Sequence, residues 1–196
     1  SDHSFITTPG IDLNFFRPDY TQYDSKFLTQ QLFKKPFLLF LGRALKPRKG
    51  FPFLSQTIRH LDTLYSFQTK IIVVLPGLLS ENQRIILSNE NMNLDNFEYL
   101  YPGYVTDFDL RRLYTNTLLN LLPSRPSCQN YEGFGYVHLE AAACSSPSVG
   151  CYDSGNEDAC NLKGTYLVQY NNIHELSSLI CDAINHNLDI PDPKDV

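Results

Sequence analysis

Apolar runs of strand length alternate along this chain with longer segments whose apolar residues recur at three and four, and few folds accept that pattern. PFLLFLG (36–42) reads as a buried strand, and FPFLSQTIRHLDTLYSF (51–67) follows as a helix through Leu54, Ile58, Leu61 and Tyr65. KIIVVLPG (70–77) and NFEYLYPG (96–103) are the next strands, both closed by Pro-Gly, with a short helix through Arg84 and Leu87 between them. Thr106 or Asp107 caps a helix that runs through Leu110 and Leu113 to Tyr114. TLLNLLPS (117–124) is a fourth strand and FGYVHLEAAAC (134–144) the helix after it. PSVGCY (147–152) and TYLVQY (165–170) are short strands, and IHELSSLICDAINH (173–186) closes the domain as an amphipathic helix.

Strands apolar on both faces must be covered on both faces. The expected fold is therefore α/β: a Rossmann-like, doubly wound parallel sheet with helices on each side. Ligands in such sheets sit beyond the carboxyl ends of the strands, at the point where the strand order reverses. Every candidate site below follows a strand. Residues 1–35 read as a linker segment arriving from a separate N-terminal unit, 36–188 as the domain, and the Pro- and Asp-rich 189–196 as a frayed tail. A length of 196 residues at 42% hydrophobic content suits one packed domain.

A formal charge of -5 without a long basic run argues against a nucleic-acid partner, whose phosphates demand clustered Lys and Arg. No apolar stretch reaches the roughly 18 to 20 residues that cross a bilayer, and SDHSFITTPG lacks the features of a secretion signal. The five cysteines are an odd set with neither a C-x-x-C pair nor zinc spacing, which fits a reduced, cytoplasmic protein using thiols as small apolar fillers.

Two stretches could carry chemistry. GRALKPRKG (42–50) follows the first core strand and places Arg43, Lys46, Arg48 and Lys49 close together in an acidic chain, between Gly42 and Gly50. It reads either as a phosphate seat or as a solvated loop, and its place at a strand's carboxyl end favours the first. YEGFGYVHLE (131–140) opens a helix near Phe134. Its unpaired amides and dipole make a seat for a diphosphate, which Gly133 and Gly135 leave open to approach. Glu132 and Glu140 stand roughly 12 Å apart along an ideal helix, far enough to grip two ends of one ligand through its hydroxyls. A hydrolytic carboxylate pair and a pair of plain helix-surface charges are the rival readings.

In their order and spacing these residues resemble something definite. Arg43, then Lys49-Gly50, then PGYVTDFDLRRLY, LLPS and YEGFGYVHLEAAA are similar to the C-terminal nucleotide-binding domain of family 4 retaining glycosyltransferases, of the GT-B fold. The resemblance runs from about Phe5 to His186, and ITTPGIDLNFFRP is similar to the family's linker into this domain. It implies that Arg43 and Lys49, beside Gly42, bind the donor diphosphate and act with Glu132 in catalysis. It further implies that Glu132 and the backbone of Gly133, Phe134, Gly135, Tyr136 and Val137 hold the sugar and phosphates, that Glu140 binds the ribose, that Gly103, Tyr104 and Val105 seat the base, and that Ser124 lines the same cleft. His138, where the family usually has an apolar residue, and CSSPSVG are departures, and residues 153–157 match the family's Gly-x-x-Glu loop only loosely.

The implied activity is hexosyl transfer from a nucleotide-diphosphate sugar, with retention and with no metal or cofactor, to an acceptor held mainly by a missing N-terminal domain. Positive groups placed in advance around the diphosphate would stabilise the charge it gains on leaving. Asp107 and Asp109 have the spacing of a metal motif but fall at a helix start, where capping accounts for them. A sugar-nucleotide epimerase or phosphorylase of the same architecture, and a non-catalytic nucleotide-binding or interaction module, are the alternatives.

Overall fold

The computed structural model describes residues 10–21, 24–25, 28–41, 47–126 and 134–196. Among these, six strands, β1 (Phe37–Phe40), β2 (Ile71–Val74), β3 (Phe97–Leu100), β4 (Leu119–Leu121), β5 (Ser148–Cys151) and β6 (Thr165–Val168), form a sheet in the order β3-β2-β1-β4-β5-β6. All its pairings are parallel. The helices are α1 (Gln30–Phe33), α2 (Phe51–Leu64), α3 (Glu81–Asn91), α4 (Asp107–Asn116), α5 (Tyr136–Ala143) and α6 (Ile173–Ile184).

Side-chain alternation splits the core in two. Leu38, Phe40, Ile71 and Val73 face one layer with Phe53, Leu54, Ile58 and Leu61 of α2 and Leu176 and Ile180 of α6. Phe37, Leu39, Ile72 and Val74 face the other, with Leu113 and Tyr114 of α4 and Ala141 of α5. The central strands β1 and β2 are thus apolar throughout because both of their faces are buried, as a doubly wound parallel α/β fold requires.

Beneath α5 the sheet is polar and small. Asn120 and Ser148 are register partners on β4 and β5, Asn120 donates to the Val137 carbonyl at 3.5 Å, and Ser148 Oγ lies 3.0 Å from His138 Nδ1.

Several elements differ from the sequence reading. α3 runs over eleven residues rather than a short turn, because Ser80 and Gln83 form a reciprocal capping box that secures its start. α5 begins at Tyr136, two residues after the expected Phe134, since Gly135 takes φ 80° and cannot be helical. α1 lies inside the stretch read as linker, and Leu28 and Leu32 beside it are buried in the second layer.

Residues 12–21 are strapped to α4. Arg111 donates to the Phe15 carbonyl at 3.2 Å and pairs with Asp19, while Arg112 Nε donates to the Thr21 carbonyl at 3.0 Å. At the other terminus Pro191 is buried against Gly164 and a 3-10 turn spans Pro193–Asp195, so the tail is packed rather than frayed.

Candidate functional site

β1 and β4 are neighbours, yet α2 after β1 packs on one face of the sheet and α5 after β4 on the other. The crevice between their carboxyl ends is the switch point where doubly wound sheets place ligands. Its floor is closed by direct backbone contact. Gly50, at φ 82°, caps the start of α2, and a Cβ there would lie 1.8 Å from the Pro123 carbonyl oxygen, so only glycine fits. Arg125 N–H donates to the Arg48 carbonyl at 2.8 Å, and Ser124 is fully buried beside this junction. Pro52 stands in the first turn of α2, where its missing N–H costs nothing.

Lys49 ends the 3-10 turn Pro47–Lys49 and is only 8% exposed. Its charge is felt on α5: His138 is fully buried, and its pKa is pushed down to about 3 by burial first and by Lys49 second. The charge of a lysine following β1 thus reaches the first turn of α5. The N-cap of that helix is Gly135, left-handed and without a side chain, and Tyr136 and Val137 supply the first amides. Phe134, half-buried, meets Tyr136 edge to face at 5.9 Å. Gly42, Arg43, Glu132 and Gly133 lie outside the described residues.

Glu140, one turn into α5, accepts a hydrogen bond of 2.7 Å from the Tyr114 hydroxyl on α4. Burial raises its pKa most, Tyr114 opposes that, and Asp107 adds to it. Asp107 is the first residue of α4, so the start of α4 and Glu140 are electrostatic neighbours. Gly103, Tyr104 and Val105 lead directly into that start. Gly103 has φ 82° with open space around it, its carbonyl accepts from Gly77 N–H at 2.8 Å, and Tyr104 is exposed. Thr106 caps α4 by accepting from Asp109 N–H at 3.2 Å, and Asp109 is held by Arg112 at 3.3 Å, as expected of a helix start.

The structure therefore brings the charge of Lys49 to the first turn of α5 and sets Glu140 near the start of α4, while Ser124 lies at the Gly50–Pro123 junction and the Gly103 turn leads into α4. Sequence reasoning missed the residues that support this arrangement. Asn156 packs behind Gly135, where a Cβ would come 2.7 Å from its Oδ1, and Asn156 Nδ2 reaches the Leu122 carbonyl at 3.4 Å. Glu157 closes the same loop by accepting from Asp153 N–H at 2.8 Å. Asn120 Oδ1, His138 Nε2 and Asn156 Oδ1 are buried with no hydrogen-bond partner among the described residues. The visible signals were an asparagine inside LLNLL and a histidine on an apolar helix, neither of which names its partner.

Among the described residues no group of three or more His, Cys, Asp or Glu side chains is placed to hold a metal ion, and no helix is long and apolar enough to cross a membrane. Cys144, Cys151 and Cys160 are buried free thiols, each with its pKa pushed up to about 12, chiefly by burial.

Fold and crevice together define a doubly wound α/β domain of the nucleotide-binding class. The family model for glycosyl transferases group 1 matches residues 25–194, and the chain belongs to that family, as a C-terminal domain of GT-B architecture. No curated protein matches the sequence. Among solved structures, sucrose-phosphate synthase from Thermosynechococcus elongatus superposes at TM-score 0.65 and 22% identity, over 94% of this chain and 43% of that one. Anabaena HepE, crystallised with UDP-glucose, superposes at 0.64 and 23%, over 90% and 46%. The C-terminal domain of a group 1 glycosyl transferase, LpcC, from Francisella tularensis superposes at 0.62 and 15%, over 90% and 88%. The chain spans less than half of the first two proteins, and at these identities the likeness is one of fold.

Proposed function

We propose that this chain is the donor half of a cytoplasmic hexosyltransferase of family 4. It holds a nucleotide-diphosphate sugar, and the sugar passes with retention, and without a metal, to an acceptor held mainly by a separate N-terminal domain. One observation carries the reading: the charge of Lys49, after β1, acts on the first turn of α5 at the β1/β4 crevice, where glycine is the N-cap, with Glu140 one turn further on. A diphosphate is the ligand whose charge suits both the ammonium and the amides.

In this reading Lys49, Arg43 and the α5 amides stabilise the charge that grows on the departing diphosphate, so no divalent ion is needed. Glu132 and the backbone around Gly133 and Gly135 take the sugar, Glu140 the ribose, and the turn at Gly103, Tyr104 and Val105 the base. The HepE crystals hold UDP, which makes UDP the first nucleotide to try.

Calorimetric titration with UDP, GDP and ADP and their hexose conjugates, in the presence of a chelator, tests the proposal. Lys49→Ala should weaken diphosphate binding by about tenfold or more, the scale of one charge-assisted hydrogen bond. Glu132→Ala should remove only the extra affinity due to the sugar. Failure of every nucleotide to bind would sink the donor reading. We expect the chain by itself to bind donor and transfer little sugar, and full turnover would refute that part.

A further inference from the structure

A half-buried glutamate cannot grip a ribose unless something holds it ionised and correctly turned. Among the described residues the candidate is on α4. Tyr114 is fully buried, with its ring in the second core layer and against the edge of Phe16, centroids 6.4 Å apart. Its hydroxyl donates to Glu140 Oε2 at 2.7 Å. α4 is itself held by the strap at residues 12–21, through Arg111 on the Phe15 carbonyl and Arg112 on the Thr21 carbonyl. The donor hydroxyl therefore stands on a rigid mount. Resting on the donor-site reading, we propose that Tyr114 is a positioning residue: its hydroxyl fixes Glu140 through Oε2 and leaves Oε1 to accept from the ribose diol.

The electrostatics agree with the geometry. Burial and the neighbouring Glu140 carboxylate, in that order, push the Tyr114 phenol far above its usual range, so it remains a donor at every working pH. Around Glu140, burial raises the carboxyl pKa, Tyr114 lowers it and Asp107 on α4 raises it. Cys144, the other titratable group close by on α5, is a neutral thiol whose pKa stands at about 12. Among the described residues Tyr114 is thus the group that opposes protonation of Glu140. Without its hydroxyl the carboxylate would take up a proton at higher pH and lose its strength as an acceptor.

The test compares each nucleoside diphosphate with its dideoxyribose analogue by calorimetry on the whole chain, across pH. In the wild type, UDP should bind roughly tenfold or more tightly than dideoxyuridine diphosphate, the worth of one charge-assisted contact. Tyr114→Phe should bring the two near parity, leave affinity for the dideoxy compound unchanged, and move the acidic loss of UDP binding to higher pH. In a Glu140→Gln background the same change should have no further effect on discrimination. Replacing Tyr114 with difluorotyrosine, a stronger donor that keeps the ring, should move the acidic loss the opposite way and serves if Tyr114→Phe does not fold.

A Tyr114→Phe protein with undiminished ribose preference and an unmoved pH profile overturns the positioning role alone. A wild type that binds UDP and its dideoxy analogue equally overturns the part given to Glu140 and the positioning role with it. A wild type that binds none of UDP, GDP and ADP overturns the donor reading itself, and this inference with it.

Discussion

Replacing His138 with leucine should change how the stability of this domain depends on pH. His138, in the first turn of α5, is fully buried, and its pKa is pushed down from 6.5 to about 3 by burial and then by Lys49. In the unfolded chain the ring titrates near its ordinary value. Between the two values the unfolded state therefore binds a proton that the folded state refuses, and stability must rise with pH across that window. The slope is about 1.4 kcal/mol per pH unit, and over the span from 6.5 down to about 3 it accumulates to roughly 5 kcal/mol. That equals the whole stability of a weak domain, for which about 5 to 15 kcal/mol is usual. In His138→Leu this source vanishes, whereas the carboxylates and the other histidines titrate as before and cancel in the difference.

Urea unfolding of both proteins at several pH values measures it. Near neutrality the variant should be moderately less stable, by about 1 to 3 kcal/mol, because Ser148 Oγ, 3.0 Å from Nδ1, is left buried without its partner. As pH falls below 6 the wild type should lose that advantage and cross the variant. Parallel curves from pH 7 to 4 would refute the reasoning, since they would mean that His138 charges within the fold. Lys49→Ala should raise the lower edge of the window, because one of the two causes of the depression is removed.

Three further outcomes follow from particular contacts. Gly50→Ala should destabilise by at least about 2 kcal/mol in thermal unfolding, because a Cβ would meet the Pro123 carbonyl at 1.8 Å and φ is 82°. Gly135→Ala, which would press on Asn156 Oδ1 at 2.7 Å, should shift the start of α5 and weaken UDP binding by about tenfold in calorimetry. Arg112→Ala should cost about 3 to 5 kcal/mol in urea unfolding, since the buried Asp109 carboxylate would lose the cation 3.3 Å away.

The sheet and most of its helices could be read from the amino acids because two-sided burial writes itself into the central strands: FLLF and IIVV are apolar at every position, and the segments between them are not. Where local geometry overrode periodicity, boundaries moved. Gly135 delays α5 through its backbone conformation, and the Ser80 capping box lengthens α3 through two side-chain bonds that hydrophobic spacing does not register. α1 was hidden in a polar stretch because a single turn with one buried residue, Leu32, is too short to show a period.

Single features of the candidate site were likewise legible one at a time: a cation after β1 at Lys49, a glycine at the start of α5, and Glu140 within that helix. Their mutual placement was not, because it depends on strand order, and nothing local says that β4 lies beside β1. Tertiary structure alone decided that Gly50 must touch Pro123, that Lys49 acts on a histidine 89 positions away, and that Tyr114 reaches Glu140 across 26 residues. Burial preferences are carried by single residues and survive in the sequence. Hydrogen bonds and charge–charge effects need two groups within a few ångströms, and only folding brings those groups together.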